Sequence, residues 1–356
     1  MKDLWEQIEL DNRPIVLYGM TDVAEKVIFE CEKHHRKVSA VFASDDFVRN
    51  KVFMGFPVTT LKEVEEQFDD FIILLCFGTH RIDVINHIKE IAKEHPVFAP
   101  DFPVIGEGLF LGKYYNDNIE EYEKTRSLLK DEQRRRVFDE TIKYRLSGNL
   151  EHLYSVETDD VDNWNLVSDS NVLFDFGAYN GDTASLFEQI NPNYKSIFAI
   201  EPSSRNYRKL KEYCNNKYNI YPYNIGVSDK DEEVLFPKNS GRGSHNKKME
   251  TASFTTIDSL VENWEKENLY HREDNLLCKF DVEGWEKKAI SGAENLIRNV
   301  TPNLYIAAYH RLDDLIEIPK QILEINKDYD VYLRHSPCIP AWENNYIFVK
   351  KEKAQN

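Results

Sequence analysis

Two acids at the ends of apolar runs open the chemistry of this chain. Asp175 lies in Val172-Leu-Phe-Asp-Phe176, and Glu201 closes Ser196-Ile-Phe-Ala-Ile-Glu201, 26 residues later. Between them Gly177 and Gly181 punctuate a turn before a helical stretch, Thr183 to Gln189. Glycines let such a turn approach a ligand without a side chain in the way. The pyrophosphate-cradling loop of dinucleotide folds usually has no acid just before its first glycine, whereas a carboxylate there suits a cationic ligand. An acid at the tip of the second strand is placed to accept hydrogen bonds from ribose hydroxyls. Loop, acid and spacing together point to an adenosyl ligand.

A second group lies further on. Asp281 and Glu283 alternate out of the apolar run Leu276-Leu-Cys-Lys-Phe280, so both reach the carboxyl edge of a strand, where open α/β sheets bind ligands. Two carboxylates at one edge raise one another's pKa, which suits a proton acceptor. His310 follows the run Leu304 to Tyr309, and an unperturbed imidazole titrates near neutrality. We therefore expect a catalytic set of His310, Asp281 and Glu283, with His310 first and Asp281 second as the base. The three would also be acceptable ligands for a divalent ion, but one sequence does not show that they converge, and no metal is assigned. Arg334 and His335 are read equally as an anion site or as ordinary pairing, and Asp258 as the cap of the helix that follows it.

The elements that must position these residues fall into two series. Ile15 to Gly19, Lys37 to Phe42 and Phe71 to Phe77 read as strands, the second carrying Asp45 and Asp46 at its end. Helices over Thr21 to Lys33 and Leu61 to Phe68 alternate with them, the latter begun by Thr60. From about Asn118 to Val156 the chain is charged and helical, with Leu128, Leu129, Val137, Phe138, Ile142 and Leu146 on one face and Arg134-Arg-Arg136 read as a solvated face. The expected fold is α/β: two doubly wound Rossmann-like domains, 1–113 and 169–356, joined by a helical connector, 114–168.

Composition bounds the function. The 356 residues hold 45 Lys+Arg against 62 Asp+Glu, a net charge of −17, which repels nucleic acids and anionic membranes. No apolar run approaches the roughly 20 residues of a bilayer span, and Met1 to Leu10 mixes acids into its apolar pattern, so it reads as a short amphipathic helix and not a secretory signal. The 5 cysteines have no metal-ligand or paired spacing. A cytoplasmic protein with no nucleic-acid partner and no membrane span is expected, and a homo-oligomer is left open.

Five strings in order, Asp175-Phe-Gly-Ala-Tyr-Asn-Gly181, Ile200-Glu-Pro-Ser203, Asn224-Ile-Gly-Val-Ser-Asp229, Thr256-Ile-Asp258 and Lys279-Phe-Asp-Val-Glu-Gly-Trp-Glu286, resemble the FkbM-type family of S-adenosylmethionine-dependent O-methyltransferases over about Asp169 to Lys350. The resemblance implies a class I methyltransferase fold and S-adenosylmethionine as cofactor. It would place Asp175 and Gly177 by the methionine part, Glu201 at the ribose, and Asn224 with Gly226 by the adenine. Ala178, Tyr179, Gly181, Asp182, Pro202 and Asp281 complete the expected cofactor contacts, and Asp281, Glu283 and His310 would face the acceptor. Trp285 departs from the smaller or polar residue common in the family and bears on acceptor shape.

The N-terminal series has Gly19 at the nucleotide position but Asp22 and Val23 where further glycines are needed. It is similar to the Rossmann-like modules attached to sugar-modifying enzymes and is read as a degenerate nucleotide fold for docking or assembly. Methyl transfer to a hydroxyl of a small molecule or glycan, tilted toward a saccharide or sugar nucleotide, is the leading reading. An NAD-dependent sugar oxidoreductase or epimerase using the first domain, and a non-catalytic binding module, are the alternatives.

Overall fold

The computed structural model describes residues 2–44, 48, 51–237 and 249–351. Asp45 and Asp46 lie outside the described residues.

Six strands form the first sheet: β1 (Ile15–Tyr18), β2 (Val38–Phe42), β3 (Val52–Phe53), β4 (Phe56–Thr59), β5 (Ile72–Leu75) and β6 (Val97–Phe98). Their order is β3-β4-β2-β1-β5-β6, parallel except for β3 against β4. The fully apolar β1 and β5 are buried on both faces, as strands covered by helices on each side must be. Ile15 and Leu17 pack with Ala24, Val27 and Cys31 of the helix Asp22–Lys33, whereas Val16 and Tyr18 face the other way, toward Val64 and toward Ile85, Ile88 and Ile91. Thr60 begins its helix with a capping box, its hydroxyl and the Glu63 carboxylate each satisfying the other's backbone N–H. The opening segment is a short helix, Leu4–Leu10, capped in the same way by Asp3 and Glu6.

The second sheet has seven strands: β7 (Val172–Phe176), β8 (Ser196–Ile200), β9 (Ile220–Tyr223), β13 (Leu276–Phe280), β14 (Asn303–Ala307), β15 (Tyr329–His335) and β16 (Asn344–Lys350). A small sheet of β10 (Gly226–Val227), β11 (Glu232–Pro237) and β12 (Met249–Thr255) is inserted after β9. The large sheet runs β15-β16-β14-β13-β7-β8-β9, with β16 antiparallel to both neighbours. From β7 the chain winds outward to β8 and β9, then returns to lay β13 and β14 on the other side. The winding therefore reverses between β7 and β13, and their carboxyl ends border the crevice where such sheets bind ligands.

The intervening helices form no loose linker. Phe138, Ile142 and Leu146 of the helix Glu132–Ser147 join the core of the large sheet, whereas Tyr144 of the same helix joins the first sheet's core and donates its hydroxyl to the Ala99 carbonyl at 3.0 Å. Arg134 corrects the expectation of a solvated basic face. It is buried, its guanidinium 3.4 Å from the Tyr332 ring centroid and 2.6 Å from Asp131. Arg136 reaches the Ser155 carbonyl at 3.1 Å. Periodicity finds the apolar face but cannot show that a strand nearly 200 residues later covers the adjacent one.

The two sheets are also bound directly. Thr79 and Ile339 exchange backbone hydrogen bonds of 2.7 and 2.9 Å, and Ile339 and Ala341 enter the first sheet's core. In the first sheet, order reverses between β1 and β5, and that crevice is taken by the protein itself. A Cβ on Gly19 would lie 2.7 Å from the Phe77 ring, and one on Gly78 would lie 1.9 Å from Trp342, which arrives from the β15–β16 connection. These contacts support a degenerate nucleotide fold and leave the oxidoreductase alternative without an open glycine loop.

Candidate active site

Asp175 and Lys279 are register partners on β7 and β13, so their side chains leave the same face of the sheet at the point where winding reverses. Lys279 Nζ lies 3.7 Å from Asp175 Oδ1 and 3.4 Å from Asp281 Oδ2. Asp175 is fully buried, and neither carboxylate oxygen has a hydrogen-bond partner among the described residues. Burial pushes its pKa up to about 7 despite the neighbouring ammonium. Burial disfavours the charged Lys279 as well, but Asp281 and Asp175 outweigh it and keep the lysine protonated. Lys279 was not assigned a role from the sequence. Its signal was a lone charge inside the apolar run Leu276–Phe280.

Glu201, just past β8, is buried and faces the loop after β7. Its Oε2 accepts the Tyr179 N–H at 2.9 Å and its Oε1 the Ser203 N–H at 2.8 Å. Burial again lifts the pKa to about 7, partly opposed by those two amides. The loop itself turns through positive φ at Gly177 (90°), Tyr179 (46°) and Gly181 (94°). The reason for the glycines differs from the expected approach to a ligand. A Cβ on Gly177 would lie 1.8 Å from the Asp281 carbonyl oxygen, and one on Gly181 2.5 Å from the Tyr213 ring. The protein's own backbone and side chains occupy those positions.

The other expected cofactor residues surround this loop. Ala178 is fully buried, Tyr179 is exposed, and Asp182 begins the helix Asp182–Ile190. The Asn224 side chain donates to the carbonyls of Glu201 and Pro202, at 2.9 and 3.0 Å, fixing the chain after β8. Gly226 lies under the Phe254 ring, 2.4 Å from where a Cβ would be, so packing accounts for this glycine. Trp285 packs against the same Phe254 with its ring tilted, centroids 5.0 Å apart.

The string Asp281 to Glu286 acquires a structural meaning. Glu283 (φ 52°) and Gly284 (φ 87°) are both left-handed, a conformation that costs roughly 1–2 kcal/mol for a residue with a side chain. The buried Glu286, reaching back four residues, holds this turn by accepting the Val282 N–H at 2.9 Å. Its Oε1 also stands 3.0 Å from His310 Nδ1. His310 is fully buried, with Nε2 3.5 Å from Asp281 Oδ1 and 3.7 Å from Glu283 Oε2. The three expected catalytic residues thus converge, and Glu286, the last residue of the string that begins at Lys279, joins them. Tyr309 adds a hydroxyl, donating to Asp281 at 3.3 Å. Burial works against a charged imidazole, but Glu286, Asp281 and Glu283 outweigh it and lift the His310 pKa to about 9. Asp314, buried behind this group, is pushed up to about 7 by burial and by the charge of Glu286.

Of two other readings, the first resolves to ordinary core pairing and the second is corrected. Arg334 and His335 are buried, and burial draws the His335 pKa down to about 4, so they belong to the core. Asp258 caps a helix other than its own. It accepts the Asn295 and Leu296 N–H groups at 3.0 and 2.9 Å at the start of Glu294–Asn299, while Thr256 caps the helix Ile257–Lys266. Among the described residues no helix is long and apolar enough to cross a membrane, and all five cysteines are buried outside disulfides.

Comparison with known proteins bears on the family and the fold. Residues 175–334 match the family described as methyltransferase FkbM domain. No curated protein matches the sequence significantly. Among solved structures, the methyltransferase FkbM from Methylobacillus flagellatus KT is similar over 96% of this chain and 92% of its own, at 18% identity and a TM-score of 0.70. The precorrin-6Y C5,15-methyltransferase from Geobacter metallireducens GS-15 is similar over 53% of this chain and 84% of its own, at 11% identity and a TM-score of 0.33. The first of these shares the fold of both sheets. Residues 175–334, with Asp175 and Lys279 at the reversal point and the turn Asp281–Glu286 beside them, match the FkbM methyltransferase domain, and the C-terminal sheet has the class I methyltransferase fold.

Proposed function

We propose that this protein transfers a methyl group from S-adenosylmethionine to a hydroxyl of a small molecule or glycan. The observation that carries the reading is the pair of buried carboxylates, Asp175 and Glu201, at the carboxyl ends of adjacent strands, the first without a hydrogen-bond partner among the described residues. A buried carboxylate whose charge is met only by one ammonium at 3.7 Å is costly, and a cationic ligand would relieve that cost. Glu201, held by the Tyr179 and Ser203 amides and by the Asn206 side chain, keeps acceptor capacity for a ribose hydroxyl. When bound, S-adenosylmethionine supplies an electrophilic methyl carbon, and most of the acceleration comes from alignment with the attacking oxygen.

The residues divide the remaining work. Asp175 and Glu201 hold the cofactor and Lys279 limits the negative charge around it. The order of bases changes from the sequence reading. Three carboxylates keep His310 protonated near neutral pH, so Asp281, a third exposed and 3.5 Å from the imidazole, takes the hydroxyl proton. The sugar-associated likeness of the first sheet supports a saccharide acceptor by association alone.

Calorimetric titration with S-adenosylmethionine tests the reading. Asp175→Ala and Glu201→Gln should each weaken binding about tenfold or more, the scale of a lost hydrogen bond to a charged group. Unchanged curves in both variants would defeat the site. A pH series adds a sign. Glu201 has a raised pKa in the free protein, and a ribose diol favours the ionised carboxylate, so binding should release protons and strengthen as pH rises toward 7. That part of the slope should vanish in Glu201→Gln. Asp281→Asn should bind cofactor but slow transfer to a responsive sugar about a hundredfold.

A further inference from the structure

The group around His310 has a feature that proton transfer does not use. His310 is fully buried, and by hydrogen-bond geometry neither ring nitrogen has a partner among the described residues. Such groups normally have one. Nδ1 stands 3.0 Å from the buried Glu286 Oε1, and Nε2 points between Asp281 Oδ1 at 3.5 Å and Glu283 Oε2 at 3.7 Å. Ligand-capable atoms of Asp281, Glu286 and His310 all lie within 4.8 Å of one another.

These separations have a chemical meaning. In an octahedral site two neighbouring ligand atoms, each about 2.1 Å from the ion, are roughly 3.0 Å apart, so an ion of that kind would draw Asp281 and Glu283 about 0.5–0.7 Å closer to Nε2 than they stand in its absence. Histidines that bind metal through one nitrogen commonly present the other to a carboxylate that fixes the ring and its tautomer. Glu286 stands in that position at Nδ1. Lys279 engages the other oxygen of Asp281, so Oδ1 remains on the imidazole side, where Tyr309 also reaches it. The left-handed backbone of Glu283 puts a partly exposed carboxylate on the same edge.

We infer that His310 Nε2, Asp281 and Glu283 form a binding site for one divalent cation of the Mg2+ or Mn2+ class, with Glu286 orienting the imidazole. Two carboxylates and one imidazole favour such ions over soft ones. The partly exposed sides of Asp281 and Glu283 leave positions for water or an acceptor oxygen. The cation takes the place of the Nε2 proton, so its binding releases that proton to solvent. A hydroxyl bound to the ion would be more acidic there, which ties the site to the acceptor side of the proposed reaction while leaving cofactor binding to Asp175 and Glu201.

The test is titration of the full-length, chelator-treated protein with Mn2+, followed by loss of the free-ion electron paramagnetic resonance signal and without S-adenosylmethionine. A null result therefore leaves the methyltransferase reading standing. One ion should bind with a Kd below about 1 mM, within the range of biological divalent sites. Glu283→Gln, on the exposed edge, and His310→Ala should each weaken binding tenfold or more, and Glu286→Gln should weaken it about 10- to 100-fold. His95→Ala, in the exposed cluster with Glu65 and Glu94, should change nothing. Absence of binding below 1 mM, binding unchanged in Glu283→Gln, or binding lost in His95→Ala overturns the inference. Because Glu283 is outside the core, its variant decides the matter even if His310→Ala does not fold.

Discussion

Gly177→Ala is expected to destabilise the protein by about 3–5 kcal/mol, among the largest effects of a single methyl group. Two costs add. At φ 90° an alanine is forced into a conformation that L side chains rarely adopt, and its Cβ would lie 1.8 Å from the Asp281 carbonyl oxygen. That neighbour is backbone, anchored by the bond from the Asp281 N–H to the Phe176 carbonyl at 3.0 Å, so it cannot yield as a flexible side chain would. The loop and the Asp281 turn would be driven apart, and both halves of the site would move together. Chemical denaturation should show the lower midpoint, and titration with S-adenosylmethionine should show lost binding in whatever fraction remains folded. Near-native stability with intact binding would show that this close approach is not needed.

The second large effect concerns a pair far from the reaction in sequence. Arg145 Nε lies 2.7 Å from Asp101 Oδ2, their side chains 8% and 10% exposed. The same guanidinium donates to the Leu312 carbonyl at 3.1 Å and lies 4.2 Å from the Phe110 ring centroid. Removing one member leaves the other charge buried and alone, which costs about 3–5 kcal/mol. Arg145→Met and Asp101→Asn should each lower stability on that scale, whereas the double variant should recover part of the loss. Leu312 follows His310 by two residues, so Arg145→Met should also weaken activity in protein that remains folded. Additive losses in the double variant would mean that the pair acts separately.

Much of the site was legible because its signals are local. Asp175, Glu201 and Asp281 sit at or just beyond strand ends, where a change from apolar run to acid or glycine is visible within a few residues, and Thr60 announced its helix by a side chain three residues from Glu63. What escaped the sequence depends on partners brought together by folding. Lys279 matters because β13 returns beside β7. Glu286 matters because the loop after β14 brings His310 to it. Asp258 caps a helix whose first amides are 37 and 38 residues away, and Arg134 is covered by Tyr332. The glycines were found but explained incompletely, since no local pattern shows that the Asp281 carbonyl fills the space beside Gly177. The base assignment changed for the same reason. A lone histidine suggests an ordinary pKa, while three acids folded around it do not.

One backbone hydrogen bond joins the Ile105 N–H to the carbonyl of His310, at 2.9 Å, and Ile105 also packs where a side chain on Gly284 would go. The segment that leaves the first sheet is therefore pinned to the imidazole's own peptide link. Any pull on residues 101–111, from a bound neighbour or a shift of the preceding strand, would be transmitted to the reaction edge through a tether one residue long, without passing through the sheet interior.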